Sequence, residues 1–460
     1  MEITLKDIIK ECNAKLVFGT DDIVCKNFSK DTRTIQQGDI YVGIKGEKFD
    51  GNTLYEEAFE KGAKACILQD IDVKKEVIEK YKDIAIILVE DTIKALQKIA
   101  SYKRSLYNIP VIAITGSVGK TSTKDIIASV VSQKYKTLKT QGNLNNHIGL
   151  PLTILSLDDH EALVVEMGMN NLGEISVLSK IAKPNIAVIT NVGTSHIGNL
   201  GSRENILKAK LEILDGLSSE GTLIINNDND MLNPWKEKYA GSVKVITYGI
   251  ENNSDFMAED ITSKENSSEF SVKYNGNNAD IIVPVGGNHF VYNALSAIAV
   301  GTSLNIPIED IKRGIEKFEL TKSRMEVLKT KSNYTIINDC YNANYDSMKA
   351  AIEYLSKTTA NRKIAVLGDM LELGEYSNEL HKKVGEEVAK NKIDILVTVG
   401  EMGKVISNTA KEAGIVVYQC ENNQNAIDTI NSIVKPEDVV LVKASNGMKF
   451  KEIVEGLMKN

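Results

Sequence analysis

Cysteine is scarce and scattered in this 460-residue chain: the five, at positions 12, 25, 66, 340 and 420, form no C-x-x-C pair and no zinc-type spacing. An odd, dispersed set argues against a disulfide scaffold or a structural zinc site and reads as reduced thiols. No apolar run approaches the ~18–20 residues needed to cross a bilayer. The opening Met1-Glu2-Ile3-Thr4-Leu5-Lys6-Asp7 lacks the basic region and apolar core of a secretory leader. Basic residues are not in excess either. The 55 Lys and Arg stand against 62 Asp and Glu, a net charge of −7, so no global field attracts nucleic acid and a polyanion needs a local site. Internal repeats and low-complexity tracts are missing. The expectation is a soluble cytoplasmic protein with neither nucleic acid nor membrane as a partner.

What is present is ordinary globular material, 42% hydrophobic and 25% charged. At ~100–200 residues per domain the length suggests about three domains. Residues 1–105 mix short apolar runs (Ile40 to Ile44, Ala65 to Leu68, Ile84 to Val89) with helical patches such as Leu54 to Lys61, a small α/β unit. Residues 106–319 open with continuous apolar runs at Val111 to Ile114, Ala162 to Val165, Ile186 to Ile189 and Leu223 to Ile225. Runs of that kind fit a parallel sheet covered on both faces. The polar stretch 251–282 holds alternating strands at Phe270 to Tyr274 and Ile281 to Val285, an antiparallel side sheet. Residues 320–460 alternate strands (Tyr334 to Ile337, Ile364 to Leu367, Ile393 to Val399, Ile415 to Tyr418, Val439 to Val442) with helices, a second doubly wound, Rossmann-like domain. The predicted class is α/β in three domains. In such sheets ligands sit beyond the carboxyl ends of the strands.

The first such segment is Thr115-Gly116-Ser117-Val118-Gly119-Lys120-Thr121-Ser122-Thr123, between a strand and a helix. Glycines let backbone N–H groups close around phosphate oxygens, and the helix N-terminus adds favourable partial charge. Lys120 would reach the β/γ phosphates and Thr121 would ligate Mg²⁺. Position 114 is Ile, so the usual G-x-x-x-x-G-K-S/T shortens to G-x-x-G-K-T, and no N-K-x-D motif follows to suggest a GTPase. The strand Ala162 to Val165 ends in Glu166; a carboxylate there is costly unless paired, and a metal beside the phosphates would pair it. The next strand leads to Asn191-Val192-Gly193-Thr194-Ser195-His196, where His196 is a reasonable second ligand.

The helix expected from Arg203 to about Leu217 sets Lys210 among Ile206, Leu207, Ile213, Leu214 and Leu217, at spacings that share its face. Lysine on an apolar stripe commonly snorkels to water. If buried, it favours the neutral amine, which can take up CO₂ as an anionic carbamate with the oxygen donors a Mg²⁺ site wants.

At this point seven separated motifs, in order, resemble the ATP-dependent Mur ligases: the phosphate loop, Asn143 to Pro151, Glu166-Met167-Gly168, Asn191 to His196, Lys208 to Glu212, Asn338 to Asn344 and Gly368 to Gly374. The resemblance implies ATP binding by Gly116, Ser117, Val118, Gly119, Lys120, Thr121 and Ser122, with Asn288 and Asn293 near adenine. Arg324 and Asp339 would close on ATP from the third domain. It implies two Mg²⁺ ions held by Thr121, Glu166, His196 and carbamylated Lys210; Lys120, Lys210, His196 and Glu166 would be the catalytic set. Asp31, Thr32, Arg33, Lys45, Gly46, Phe49, Asp50 and Gly51 resemble the uridine-nucleotide region. Asn145, Asn146, Tyr341, Asn342 and Asn344 complete the substrate face. No Asp-Asn-Pro-Arg-like motif of the lysine- or diaminopimelate-adding branches is present. The implied reaction is therefore addition of D-alanyl-D-alanine to UDP-N-acetylmuramoyl-tripeptide in peptidoglycan precursor synthesis, by a monomer. Other amide ligases of the superfamily, folylpolyglutamate synthase among them, and a P-loop regulatory ATPase are the alternatives. Three positions depart from the family pattern: Phe290 after His289, Tyr345 after Asn344, and Asn446 in Lys443-Ala444-Ser445-Asn446.

Lys120→Ala removes the only cation that the loop itself places on the transferring phosphates. Turnover should fall by about 10²–10³ with an unchanged circular dichroism spectrum. Near-native turnover at saturating ATP would refute the loop assignment.

Overall fold

A computed structural model describes residues 2–81, 83–264 and 267–459. Glu265 and Asn266, in the polar stretch expected to hold side-sheet strands, lie outside the described residues. Among the described residues three large sheets, beside a two-stranded pairing of Ile3–Thr4 with Val24–Cys25, organise the fold. The first has five strands in the order Lys15–Phe18, Ala85–Leu88, Ala65–Leu68, Ile40–Val42, Phe28–Ser29, all parallel except the first pairing. Its central run Ala65–Leu68 is buried throughout, which is why it reads as unbroken apolar sequence. Asp91 then caps the helix Thr92–Ser105, accepting from Lys94 N at 2.9 Å, and this helix leads into the second sheet.

The second sheet has nine strands in the order Asn277–Val283, Ser268–Tyr274, Phe256–Ser263, Lys244–Gly249, Thr222–Asn226, Ile186–Ile189, Val111–Thr115, Ala162–Glu166, Thr137–Lys139. The antiparallel strands expected near residues 251–282 do form, together with a third at Phe256–Ser263. They continue the edge of the parallel sheet through the pairs Tyr248↔Phe256 and Gly249↔Met257. The strand order reverses at Val111–Thr115: the chain next builds the two strands on one side of it, then those on the other. That is the switch point at which α/β sheets open a crevice beyond their carboxyl ends. The pairs Glu166↔Ile114 and Ile189↔Thr115 bring the phosphate loop, Glu166 and the 190–196 segment out side by side.

The third sheet runs Glu326–Lys329, Thr335–Asn338, Val439–Lys443, Lys363–Gly368, Ile395–Val399, Val416–Cys420, with only its first pairing antiparallel. The strands of all three sheets begin and end within two or three residues of the sequence expectation where the apolar runs are continuous. The helix expected through Leu217 stops at Leu211 and tightens into a 3₁₀ turn over Glu212–Gly216. There Gly216 lies against the Ser179 carbonyl, with no room for a side chain. No helix among the described residues is long and apolar enough to cross a membrane.

Arg104, 8% exposed, closes the junction after the first unit. Its guanidinium donates to the carbonyls of Ala182 (2.8 Å) and Tyr107 (2.5 Å), and more distantly to Ile109 and Lys183. Ala182 ends the helix Glu174–Ala182, whose last carbonyls lack intrahelical partners, so a cation there also complements the helix dipole. Arg104→Met keeps most of the packing and orphans these carbonyls. It should cost about 2–4 kcal/mol, read as a lower urea midpoint with native activity retained in the folded fraction.

Candidate active site

The phosphate loop is fixed from behind. Asn191 Oδ1 accepts from Val118 N at 2.9 Å, Asn191 Nδ2 donates to Val118 O at 3.0 Å, and Thr190 Oγ1 donates to the same carbonyl at 2.7 Å. Ser117 Oγ accepts from Gly193 N at 2.9 Å, and Ser195 Oγ donates to Ser117 O at 3.1 Å. Gly116 has to be glycine, since a Cβ would fall 1.9 Å from Thr190 Oγ1. Lys120 Nζ donates back to Gly116 O at 2.8 Å and Ser117 O at 3.4 Å.

Thr121 is the meeting point. Its hydroxyl donates to Glu166 Oε2 at 3.0 Å and accepts from Arg324 at 3.2 Å, while Asn145 Nδ2 donates to Glu166 Oε1 at 2.7 Å. Arg324 comes from the segment that opens the third unit, lies 3.8 Å over the Tyr341 ring, and keeps a buried Nε with no hydrogen-bond partner. Asp339, as expected, lies beside it: its Oδ1 accepts from Met325 N at 3.2 Å and its Oδ2 receives buried Lys443 Nζ at 2.5 Å. These groups line two spaces that share Val118, Gly119 and Arg324 as walls. A cleft of about 370 Å³ is bounded by residues 117–121, Asn145, Asn146, Glu166, His196, Arg324, Tyr341, Asn342, Asn344 and Asn446. A narrower pocket of about 130 Å³ lies between Gly119, Ser122, Tyr248, His289, Phe290, Tyr292, Asn293 and Asp339. Phe290, buried, forms an apolar wall there, its ring 4.4 Å from that of His289. Asn293 Oδ1 accepts from Thr123 Oγ1 at 2.9 Å.

The donor set bears on a metal. Among the described residues no group of three or more His, Cys, Asp or Glu converges as a cage. A buried carboxylate touching a threonine hydroxyl next to a phosphate loop suits Mg²⁺, which keeps several waters and draws its remaining oxygens from phosphates. His196 Nδ1 pairs with Glu372 Oε2 at 2.8 Å. Burial, then the Lys120 charge, hold its pKa below the usual histidine value against the pull of Glu372. Lys210 is 2% exposed and does not snorkel. Among the described residues its amine has no hydrogen bond or ion pair, and burial, then Lys120, push its pKa well below the lysine range. An unpaired buried ammonium would cost several kcal/mol, so the neutral amine is the form this pocket favours.

Some expected residues are elsewhere. Asn288 is exposed at the start of the helix Asn288–Ser303 and does not line the pocket; its Oδ1 accepts from Ser263 Oγ at 3.4 Å. The residues that follow it, His289, Phe290, Tyr292 and Asn293, line the pocket instead. Asn344 lines the cleft, yet its side chain caps the helix Tyr345–Lys357 through Ser347 N (2.8 Å) and bonds Ser195 Oγ. Tyr345 turns its hydroxyl to Glu387 at 3.4 Å. Asp31, Thr32, Arg33, Lys45, Gly46, Phe49, Asp50 and Gly51 do not line the cleft. Asp31 and Asp50 cap short 3₁₀ turns, Arg33 donates to both oxygens of Asp31 (2.9 and 2.6 Å), and Thr32 bonds Glu57. Phe49 is 59% exposed on the turn between Lys45 and Asp50.

Residues without a forecast role tie the two units together. Asp346 Oδ2 accepts from Thr194 N at 3.1 Å and Thr194 Oγ1 at 3.3 Å. Gly198 N donates to Glu372 O at 3.3 Å, and a Cβ on Gly198 would lie 2.7 Å from both that oxygen and Gly374 N. Tyr376 donates to Gly201 O at 2.8 Å. Acidic, glycine and tyrosine residues after strands were the available signal, but it does not name their partners.

The chain matches three family descriptions: "Mur ligase family, catalytic domain" over residues 26–104, "Mur ligase middle domain" over 114–301, and "Mur ligase, glutamate ligase domain" over 323–446. It is 40% identical over 458 residues to the UDP-N-acetylmuramoyl-tripeptide–D-alanyl-D-alanine ligase of Bacillus subtilis, covering 97% of each chain. It is 33% identical to that of Escherichia coli, covering 100% of this chain and 99% of the other. Among solved structures, MurF from Acinetobacter baumannii superposes with a TM-score of 0.90 at 29% identity, over 100% of this chain and 99% of that one. MurF from Thermotoga maritima in complex with ADP gives 0.83 at 28%, over 96% and 99%.

His289 supplies a pH signature. Burial, assisted by Lys443 and opposed by Asp339, lowers its pKa to about 4 from the ordinary 6.5. Between those values the unfolded chain binds a proton that the folded chain refuses. Stability is therefore full above about 6.5 and declines as pH falls toward 4. His289→Gln should shrink the loss of urea midpoint between pH 7 and pH 5; an unchanged slope would show that the ring is not held neutral.

Proposed function

The chain belongs to the Mur ligase family, and on that premise we propose that it joins D-alanyl-D-alanine to UDP-N-acetylmuramoyl-tripeptide, with cleavage of ATP to ADP and phosphate. The observation that carries this reading is the convergence of Thr121, Glu166 and Arg324, from two different units, in one cleft of a chain whose full-length relatives bear that activity in their names. A regulatory P-loop ATPase would have no use for the buried Lys210 beside it.

The chemistry follows from the groups in place. A carboxylate oxygen of the tripeptide attacks the γ-phosphorus, the bond to the ADP oxygen breaks, and an acyl phosphate forms. The amine nitrogen of the dipeptide then attacks the acyl carbon. The tetrahedral intermediate expels phosphate, and the amine gives up a proton. Phosphoryl transfer of this kind is mostly positioning and charge neutralisation. Lys120 and Arg324 approach the phosphates from opposite units, and the loop N–H groups hold the oxygens. Thr121, Glu166, His196 and Lys210 as its carbamate would hold Mg²⁺, which when bound neutralises charge on the transferring group. Carbamylation would put an anion in place of the neutral Lys210 amine, giving Lys120 an attractive neighbour.

We divide the roles among residues 1–105 for the uridine nucleotide, 106–319 for ATP and 320–460 for the dipeptide. In the first, the Lys45–Gly51 turn with exposed Phe49 offers a surface for the base and diphosphate. In the third, Tyr341 and Asn342 face the cleft. This set is neutral and hydrogen-bonding, suited to a dipeptide with methyl side chains. The reaction is assigned to the cytoplasm.

Phosphate release should require D-alanyl-D-alanine together with the uridine-linked tripeptide, and should be far slower with lysine, diaminopimelate or glutamate. A site of polar contacts can discriminate by up to ~10⁴–10⁵. Faster release with a single amino acid and a shorter acceptor would move the chain to another branch. Lys210→Ala should be inactive and partly restored by short carboxylic acids. A density map showing a bare Lys210 amine with nucleotide and Mg²⁺ bound would reject the carbamate.

A further inference from the structure

The segment joining the second and third sheets crosses the phosphate-loop helix at a buried carboxylate that the reaction above leaves unused. Asp125 lies on the helix Lys120–Val131 with its side chain 1% exposed. Its Oδ1 receives Lys139 Nζ at 2.8 Å and lies 3.2 Å from Lys124 Nζ. Its Oδ2 is turned to the linker, accepting from Thr321 N at 3.2 Å and Thr321 Oγ1 at 2.7 Å. Burial pushes its pKa up, and the two lysines and Thr321 bring it below the ordinary value. The cluster is also wired to the site: Lys124 donates to Thr140 O at 3.1 Å, and Thr140 Oγ1 accepts from Glu166 N at 3.0 Å.

The spacing of the two contacts carries the argument. Thr121 and Asp125 are i and i+4 on one helix, so they share a face about 6 Å apart along the axis. Thr321 and Arg324 are three residues apart on the linker. Thr321 bonds Asp125 and Arg324 bonds Thr121, so the linker runs antiparallel to the helix for one turn and is held at both ends. Ser323 and Met325, on either side of Arg324, have φ of 62° and 50°. That left-handed backbone is unfavourable for side chains other than glycine and persists when surrounding contacts enforce it. One attachment would locate the linker; two also fix its direction.

We propose that Asp125 and Thr321 are positioning residues, which pin the inter-unit linker to the phosphate-loop helix so that Arg324 meets the nucleotide phosphates in register with Lys120 and Thr121. The proposal rests on the reading of the cleft as an ATP site. It does not require the identity of the amine.

Binding of a non-hydrolysable ATP analogue with Mg²⁺, measured by calorimetry on the full chain, tests it. Thr321→Val removes one hydroxyl and keeps shape. It should weaken the analogue about tenfold, the scale of one hydrogen bond to a charged group, with little change in thermal midpoint. Thr321→Ser restores the hydroxyl and should restore affinity, which a purely steric role would not give. Combined with Arg324→Ala, Thr321→Val should add almost nothing, because it acts through that arginine. Full additivity, or wild-type affinity in Thr321→Val, overturns the proposal. Asp125→Asn should follow Thr321→Val in direction; if it does not fold, the Thr321 pair still decides. Failure of the wild-type chain to bind the analogue overturns both this proposal and the ligase reading. Tight binding without D-alanyl-D-alanine-dependent phosphate release removes the ligase reading alone.

Discussion

The hydroxyl of Thr121 donates to Glu166 and accepts from Arg324, and so joins the phosphate-loop helix, a neighbouring strand end and the linker into the third unit. Its position depends on parallel pairing. Because Glu166↔Ile114 and Ile189↔Thr115 are in register, three strand ends open on one edge, and the groups that follow them stand within hydrogen-bonding distance. The same pairing creates an electrostatic problem. Lys120 and Arg324 gather near one buried carboxylate with Lys210 close to Lys120, and burial disfavours the charge on both lysines. A site so arranged favours ligands that bring negative charge with them, which polyphosphates and acyl phosphates do.

Sequence made part of this legible for specific reasons. Ala65–Leu68 and Ile186–Ile189 coincide with the expected runs, because a strand buried on both faces leaves an unbroken apolar signature. The two-residue strands Ile3–Thr4 and Val24–Cys25 escaped, since a pair of residues has no periodicity to detect. The edge strand Glu326–Lys329 escaped because half of it is exposed. The i±3 and i±4 neighbours of Lys210 made burial one of two readings, snorkelling the other, and the structure shows it 2% exposed. Asn293 lines the pocket and Asn288 does not, because proximity in sequence to a pocket does not say which side of the helix faces it. The contacts Thr194–Asp346, His196–Glu372 and Asp125–Thr321 link residues 152, 176 and 196 positions apart, and no local pattern encodes such pairings.

The arrangement also explains why so many polar side chains in the cleft have a first duty to the protein. Asn145 holds Glu166, Asn191 holds the phosphate loop, and Asn344 caps a helix while bonding Ser195. A buried polar group without a partner is expensive, so these amides are satisfied by the scaffold and present their remaining capacity outward. Preorganisation of this kind reduces the ordering that a substrate must otherwise impose.

One seam between the units is written almost wholly in main chain. At Gly198 the amide meets the Glu372 carbonyl, and Gly374 lies against the same spot. Contacts between ions across the cleft weaken as electrolyte rises, whereas a backbone amide on a carbonyl is largely indifferent to it. The docked geometry therefore has a part that survives changes in ionic milieu and in surrounding side chains alike. Since this contact uses no side-chain atom, and Gly198 and Gly374 have none to trim, sequence drift disturbs that part chiefly by adding atoms. The tolerance of the seam is one-sided: it withstands loss and variation around it but not growth.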